Sequence, residues 1–240
     1  MCLFIHIILL FLNYLIGFYP TITCINDNMD FRTIIKDYTE APISRHLILK
    51  LLSKYQRPND KISELLKSKE LISIRRGLYT VGPKMDLPSP EPFLIANHLR
   101  GPSYVSLESA LSYWNMIPER AYEISSVTTK TSKLYKTPVG RYSYKQLKTP
   151  YYSYGIKNIE YSPKQTMLIA SCEKALCDKI VLTPKINLRS IKQTKEFLIE
   201  DLRIDSEVLS TLDTKVMTLW IKNAPKKSSL KMVIKTLMEL

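Results

Sequence analysis

The chain has few of the residues on which most catalytic and metal sites depend. Its 240 residues include three histidines, His6, His46 and His98, which are far apart in the sequence. It contains no P-loop, no G-x-G-x-x-G dinucleotide pattern and no G-x-S-x-G nucleophile motif. These absences argue against nucleotide hydrolysis, dinucleotide chemistry and serine-type catalysis. We therefore predict a protein that is not an enzyme and that uses no cofactor, no metal and no small-molecule substrate.

Cysteine is also scarce and is not arranged for metal binding. Two of the four cysteines, Cys2 and Cys24, lie near the start of the chain. The other two, Cys172 and Cys177, lack the C-x-x-C spacing of a zinc site and have no histidine cluster nearby. We predict that they are reduced, buried thiols of a cytosolic protein.

Acidic residues are outnumbered and are almost missing from one long stretch. The chain has 35 lysines and arginines against 22 aspartates and glutamates, a formal net charge of +13. Between Glu123 and Glu173 the only acidic residue is Glu160. Such an excess favours a polyanion, such as nucleic acid, or an anionic surface as the partner.

Residues 2–23 form the one long hydrophobic run of the sequence. A run of this kind fits a signal peptide or a short membrane span. It lacks the positively charged start of a secretory signal, and no clear small-x-small cleavage site follows it. We favour a third interpretation, in which residues 1–28 are an apolar leader produced by a mis-called start and translation begins at Met29. This interpretation predicts a cytoplasmic protein, and the alternative is a protein anchored in the membrane through residues 2–23.

Residues 58–81 have the pattern of a helix that runs into a tight β-hairpin. Apolar residues recur at helical spacing from Ile62 to Leu66, and Asn59 is predicted to cap the helix. Alternating strands then flank a turn at residues 75–77. The pattern predicts a polar helix followed by a hairpin with two arginines at its tip.

Two amphipathic segments precede this unit. Residues 31–38 predict a first helix, and Ser44 is predicted to cap a second helix that reaches residue 55. The short connection of residues 56–58 is typical of the turn in a helix-turn-helix. Three helices and a basic-tipped hairpin together predict a winged helix-turn-helix that ends near Val81.

In a winged helix the polar helix enters the DNA major groove, and the arginines of the wing reach phosphates or the minor groove. The alternative is a helix and hairpin packed into an ordinary α+β domain, with solvated arginines. The candidates for DNA binding are the groove-facing residues Asp60, Lys61, Ser63, Glu64 and Lys67, the wing residues Arg75 and Arg76, and the phosphate contacts Arg45, Lys50 and Lys54.

Prolines mark the end of this unit, at Gly82-Pro83 and in residues 88–92. Beyond them, the period of two predicts strands at residues 122–129, 140–147, 156–161 and 165–170, and Ser171 is predicted to cap the next helix. The predicted fold class is α+β. The predicted organisation is a leader at 1–28, a winged helix domain at 29–83, a linker at 84–92, and a C-terminal domain at 93–240 that is mixed α/β over 93–185 and helical over 186–240.

The predicted strands of the second domain are basic and rich in tyrosine. Lysines and arginines interleaved with aromatic rings can hold nucleic acid by phosphate neutralisation and stacking. The same pattern also fits the solvated outer face of a sheet, because tyrosine favours strands and lysine protects sheet edges. The residues of this possible second basic surface are Lys130, Lys133, Arg141, Lys145 and Lys148.

The best candidate for acid–base chemistry is the segment 173–178. Glu173 and Asp178 are five residues apart, so one helix does not place them on the same face. Lys174 is instead expected to pair with Asp178 on the surface, at i,i+4 spacing. The alternative function is a nuclease that uses acidic residues of the second domain.

Five runs of residues carry a resemblance to a known family. They are residues 73–83 (SIRRGLYTVGP), 94–113 (LIANHLRGPSYVSLESALSY), 117–119 (IPE), 126–130 (SVTTK) and 173–178 (EKALCD). In this order and spacing the chain resembles the AbiEi family of type IV antitoxins over roughly residues 30–185. The apolar leader is not a feature of that family, and roughly the last fifty residues carry no matching motif.

The resemblance implies an N-terminal winged helix-turn-helix that binds operator DNA, with inverted repeats expected, and represses its own operon. It implies a C-terminal antitoxin domain that antagonises a nucleotidyltransferase-like toxin in abortive infection by phage. In that family the toxin is neutralised indirectly, so no direct complex with it is expected. The remaining alternative is a membrane-tethered transcriptional regulator.

Overall fold

The computed structural model describes residues 30–119 and 122–240. The predicted leader, with its alternatives of a late start and a membrane anchor, lies outside these residues. Within the described ranges every helix is too short or too polar to cross a bilayer.

Contacts within the chain divide it into two units, residues 1–36 and 37–240. The described part of the first unit contains helix α1, Phe31–Ile35, whose N-cap Asp30 accepts a hydrogen bond from the backbone N of Arg32 at 3.1 Å. A 3-10 helix, Lys36–Tyr38, follows α1.

The second unit begins with a small sheet and two helices. These elements are β1 (Ile43–Ser44), α2 (Arg45–Leu51), α3 (Pro58–Lys67), β2 (Leu71–Arg75) and β3 (Leu78–Val81). The strands are antiparallel, in the order β1-β3-β2. The predicted Ser44 cap is confirmed, because its Oγ accepts from the backbone N of Leu47 at 3.2 Å. The predicted Asn59 cap is wrong: α3 starts at Pro58, which suits the first helical position because its missing N–H needs no partner there.

A β-bulge decides which hairpin side chains are buried. Simple alternation predicts that Ile72 and Ile74 share one face. The register shifts between Ser73 and Arg75, and Leu71 and Ile74 become the buried pair. Ile72 is only half-buried as a result.

A six-stranded mixed sheet forms the centre of the second unit. Its strands are β4 (Ser103–Val105), β5 (Glu123–Thr128), β6 (Lys133–Thr137), β7 (Gly140–Gln146), β8 (Ile156–Ser162) and β9 (Gln165–Ala170), in the order β6-β7-β5-β4-β9-β8. The pairs β5/β7 and β4/β9 are parallel. The four predicted strands are confirmed to within one residue at each end, and the α+β class is confirmed. The sequence did not indicate β4, because all three of its residues are buried and show no alternation.

Helices cover both faces of this sheet. They are α4 (Pro92–Leu99), α5 (Leu107–Tyr113) and α6 (Cys172–Leu182). Helix α4 covers one face, where Tyr144 Oη donates a hydrogen bond to the carbonyl O of Ala96 in α4 at 2.6 Å. The hairpin residues Ile74 and Leu78 belong to the same apolar cluster as Tyr144. The hairpin β2–β3 therefore shares a hydrophobic core with the sheet.

The proline-rich segment before α4 is tied to strand β9. A 3-10 helix, Pro83–Met85, opens this segment. Gln165 Oε1 accepts from the backbone N of Glu91 at 2.6 Å, and its Nε2 donates to the carbonyl O of Ser89 at 3.3 Å. The side chain of the buried Gln165 thus supplies hydrogen-bond partners for backbone groups of Ser89 and Glu91, which lie in an irregular segment without a neighbouring strand.

Helices follow the sheet to the end of the chain. They are α7 (Ile191–Lys195), which continues as a π-helix (Glu196–Asp201), α8 (Ser206–Ser210), α9 (Thr214–Ile221) and α10 (Lys227–Leu237). Ser171 caps α6 as predicted, with its Oγ accepting from the backbone N of Lys174 at 3.2 Å. Cys172 is half-buried and Cys177 is buried, and both are free thiols.

A buried ion pair lies within α6. Lys174 Nζ is 2.9 Å from Asp178 Oδ1, and both side chains are 0% exposed. The predicted pairing is confirmed, but the predicted surface location is wrong. The i,i+4 spacing alone does not tell a solvated helix face from a buried one, and here that face points to the sheet.

Further contacts hold the two charges. Tyr104 Oη and Ser106 Oγ donate to Asp178 Oδ2 at 2.8 and 2.9 Å. Lys174 Nζ donates to the carbonyl O of Tyr151 at 2.9 Å and lies 3.5 Å from the centre of that ring. Burial lowers the pKa of Lys174 and raises the pKa of Asp178, because each charge has lost its water. Their mutual attraction opposes both shifts, so each ion depends on the other.

The burial of Tyr142 in the sheet can be tested through the pH dependence of stability. It is 0% exposed, and its hydroxyl has no hydrogen-bond partner among the described residues. Burial, with a smaller effect of the Glu91 charge, raises its pKa from 10.0 to about 12. Between these pH values the folded protein keeps the proton and the unfolded chain loses it, so stability falls as pH rises.

We expect Tyr142→Phe to remove the decrease in the free energy of unfolding that the titration of Tyr142 causes between about pH 10 and 12. A shift of about two pKa units corresponds to about 2.7 kcal/mol. Urea unfolding of wild type and variant should agree within about 1 kcal/mol near pH 8, and the variant should gain about 2 to 3 kcal/mol relative to wild type by pH 12. The exposed Tyr161→Phe is the control. A difference between wild type and Tyr142→Phe that does not change with pH would contradict the assignment.

Candidate nucleic-acid interface

The starts of α2 and α3 are joined by a side-chain bridge. Arg45 donates from Nη2 to Oδ1 of Asn59 at 2.8 Å. The backbone N of Arg45 donates to the carbonyl O of Gly77 at 3.0 Å. The N-terminus of α2 therefore lies beside both the first turn of α3 and the tip of the hairpin.

The outer face of α3 is polar. Its buried residues are Ile62 and Leu65, which turn the opposite face outward. The exposed residues on that outer face are Asp60, Ser63, Glu64 and Lys67. The helix thus presents hydrogen-bond donors and acceptors in a row, as reading of base edges requires.

Lys61 differs from the other candidates on α3, because it is held by neighbouring side chains. Its Nζ is 2.8 Å from Glu64 Oε1 and 5.8 Å from the centre of the Tyr55 ring. The hydrogen bond to Glu64 raises the pKa of Lys61, and its side chain is 23% exposed against 66% for Glu64. A contact between Lys61 and DNA would need this pair to open. Lys67 is exposed, and Ser63 Oγ, which donates to the carbonyl O of Asn59 at 3.0 Å, can still accept a hydrogen bond.

The tip of the hairpin carries two free guanidiniums. Arg75 and Arg76 are exposed, and within the described residues neither side chain has a hydrogen-bond or ion-pair partner. Gly77 follows with φ of 80°, a left-handed conformation that glycine adopts without strain. Lys50, near the end of α2, and Lys54, just beyond it, are also exposed. The arginines and Arg45 surround the same turn, whereas the two lysines lie further along the chain.

The possible second basic surface is divided between two faces. The register pairs Lys133 with Tyr144, on the face that α4 covers, and alternation puts Arg141 and Lys145 on the other face. Arg141 Nε is 3.5 Å from Glu123 Oε2, so its charge is partly compensated. The loop residues Lys130 and Lys148 are exposed. The structure therefore does not bring these five residues together.

Lys133 is the member of this set that lies near the hairpin, because its strand β6 lies beside β2. Arg100, just after α4, donates from Nη1 to Tyr135 Oη at 3.3 Å and from Nη2 to the carbonyl O of Thr131 at 2.7 Å. Lys133 Nζ lies 4.8 Å from the centre of the Tyr135 ring. Basic residues therefore continue from the hairpin onto the edge strand β6.

Arg75 and Arg100 both act on the buried Tyr144. Burial raises the pKa of Tyr144 well above its usual value, and the charges of the two arginines oppose this shift. Arg100 lies on the face of the sheet that α4 covers, because it contacts Tyr135, which is two residues from Lys133 on β6. Arg100 was not predicted, because no local pattern in the sequence indicates that the end of α4 lies against β6.

The carboxylates proposed for a nuclease do not share an open site. Glu173 Oε2 accepts from Ser171 Oγ at 2.8 Å, as part of the cap of α6. Asp178 is fully buried. Within residues 30–119 and 122–240 no group of three or more histidine, cysteine or acidic side chains is placed to hold a metal ion.

No family model and no curated protein matches the chain. Among solved structures the chain is similar to the RV2827C protein from Mycobacterium tuberculosis, with a TM-score of 0.55 and 9% identity. The match covers 86% of this chain and 76% of that chain. At this identity the likeness concerns the fold alone.

Proposed function

We propose that residues 43–81 are a winged helix-turn-helix and that the protein is a DNA-binding antitoxin that represses its own operon. The observation that carries the DNA-binding half is the unpaired Arg75 and Arg76 beside the polar outer face of α3. The sheet order β1-β3-β2, with α2 and α3 between its strands in sequence, suits this assignment. The net charge of +13 adds the long-range attraction that DNA binding uses.

In this proposal α3 lies in the major groove and the hairpin is the wing. Ser63 and Lys67 face the bases, and the two wing arginines contact phosphates or the minor groove. Arg45 and Lys50 contact the backbone beside the helix. Phosphate contacts fix the position of the protein, and the polar face of α3 supplies the sequence preference.

The contact extends from the wing onto β6. Arg100 and Lys133 lie on the face of the sheet that α4 covers, and β6 lies beside the hairpin strand β2, so a duplex that passes the wing meets them next. Arg141 and Lys145 lie on the opposite face and take no part in this contact. Lys130 and Lys148 are loop residues that add to the positive potential around it.

The antitoxin half of the proposal concerns residues 93–240. It is supported by the resemblance over residues 94–113 and 173–178, which form α4, β4, α5 and the buried ion pair of α6. These runs build the core of the domain, so they account for its stability more directly than for toxin antagonism. The expected toxin is a nucleotidyltransferase-like protein, opposed without a direct complex.

The DNA-binding proposal predicts specific binding to the DNA just upstream of the gene. Fluorescence anisotropy of the full chain should give an affinity for this DNA at least about a thousandfold above that for a scrambled duplex, with both affinities falling as salt rises from about 50 to 200 mM. Equal, salt-sensitive binding to both duplexes would contradict it.

The antitoxin proposal is tested separately. Expression of the neighbouring gene alone should arrest growth, and co-expression of this chain should restore it. Rescue by a chain without DNA binding would show that antagonism belongs to the second domain. No arrest by the neighbouring gene, or no rescue by the full chain, would contradict the antitoxin role.

A further inference from the structure

A cleft of about 680 Å³ lies on the sheet face opposite α4. It is bounded by the start of α5, the end of α6, the sheet strands β5 and β7, and the end of the π-helix. A cavity of this size suits a small organic ligand. The proposed DNA contact uses the other face of the sheet, so the cleft is a separate feature.

The bottom of the cleft is apolar. Leu107 and Ile117 are almost fully buried there, and Leu182 and Leu202 line it from the helical side. Burial of an apolar group against such a surface stabilises a complex by about 25 cal/mol per Å². The cleft therefore favours a ligand with an apolar body.

Most charges around the cleft already have partners within the protein. Glu108 pairs with Lys179, which lines the cleft with it. Glu119 Oε1 is 2.7 Å from Arg203 Nη2, and Glu123 pairs with Arg141 as described. These carboxylates are compensated, so they do not make the cleft a site for a simple cation.

Two charges at the cleft remain uncompensated. Among the described residues, Asp201 and Lys145 have no hydrogen-bond or ion-pair partner for their side chains, and both line the cleft. Asp201 approaches it from the π-helix, and Lys145 approaches it from β7. The two free charges therefore have opposite signs and come from different walls.

We propose that this cleft binds a small amphipathic zwitterion, a free amino acid or a dipeptide with apolar side chains. The ligand's ammonium pairs with Asp201, its carboxylate pairs with Lys145, and its side chains lie against Leu107 and Ile117. Charge-assisted hydrogen bonds at both ends give the selectivity, and the apolar contact adds affinity. The site is a binding site, with no reaction assigned to it.

Binding can be measured by calorimetry on the full chain with L-leucine and L-leucyl-L-leucine as probes. Saturable binding of either zwitterion is expected. The probe that binds more tightly shows whether the ligand is a free amino acid or a dipeptide. N-acetylation of that probe removes the ammonium, and amidation removes the carboxylate. Each change should weaken binding at least about tenfold, because it removes one charge-assisted pair.

Variants assign each end of the ligand. Asp201→Asn should weaken binding of the zwitterion about tenfold but leave the affinity for the N-acetylated probe unchanged, because that probe has no ammonium to lose. Lys145→Gln should also weaken binding of the zwitterion about tenfold, and it should leave the affinity for the amidated probe unchanged, because that probe has no carboxylate. Glu160→Gln, an exposed carboxylate on β8, is the matched control and should bind as wild type. The proposal is overturned if neither zwitterion binds saturably, if the blocked probes bind as well as the zwitterion, or if both cleft variants bind like the control.

Discussion

Replacement of Asp178 by alanine is expected to lower the free energy of unfolding by about 3 to 5 kcal/mol. The substitution leaves the Lys174 ammonium fully buried without its counter-ion. It also removes the acceptor for Tyr104 Oη and Ser106 Oγ, which are equally buried. Lys174 keeps the carbonyl of Tyr151 and the rings of Tyr151 and Tyr104, whose centres are 3.5 and 5.9 Å from Nζ, and these do not compensate a full charge.

Urea unfolding measures this effect, and the chain offers a matched control. Lys164 pairs with Glu40 at 3.6 Å, but with side chains that are 57% and 26% exposed. Lys164→Ala should therefore change stability by about 1 kcal/mol or less. In the double variant Lys174→Met with Asp178→Leu no charge is left buried, so its cost should be well below the sum of the single changes. A cost below about 1 kcal/mol for Asp178→Ala would show that the pair is not buried as described.

The second large effect concerns DNA. Arg75→Ala combined with Arg76→Ala should weaken binding to the upstream DNA about tenfold to a hundredfold, because each guanidinium loses a charge-assisted contact. The slope of log affinity against log salt should become shallower by about 2, since each phosphate contact contributes about 0.9. The melting temperature should not change, because both side chains are exposed and unpaired.

A matched control removes the same charge elsewhere. Lys231 and Lys235 are exposed on α10, and their replacement by alanine should leave both the affinity and the salt slope close to those of wild type. If the lysine control weakens binding as much as the arginine variant, binding depends on net charge alone and the wing has no special part in it.

Local signals in the sequence predicted much of this fold. Ser44 and Ser171 were identified as caps because a serine before an apolar periodic run satisfies backbone N–H groups of the first turn. Strand β9 was predicted at both ends, because a period of two and the following cap delimit it. These features depend on neighbours within a few residues.

Features that depend on distant neighbours were not predicted. The burial of Lys174 and Asp178 follows from the position of Tyr104 and Ser106 about seventy residues earlier, which no i,i+4 pattern contains. The β-bulge puts Ile74 on the buried face with Leu71, and Ile74 packs in the core that the hairpin shares with the sheet. For the candidate interface, the helical period predicted which side chains face outward on α3. It did not indicate that the five basic residues of the second set divide between two faces.

Site-specific photo-crosslinking tests the central proposal, that α3 enters the major groove. A photoreactive residue at Ser63 should crosslink to bases of the upstream DNA, in a pattern that scrambled DNA does not give. Ser210 is the control, since each serine is exposed on a helix and donates to a carbonyl of its own helix, Ser63 to Asn59 and Ser210 to Glu207. Crosslinks at Ser63 and none at Ser210 are the predicted result. Bound DNA that crosslinks at neither position, or equally at both, would contradict the placement of α3 in the groove.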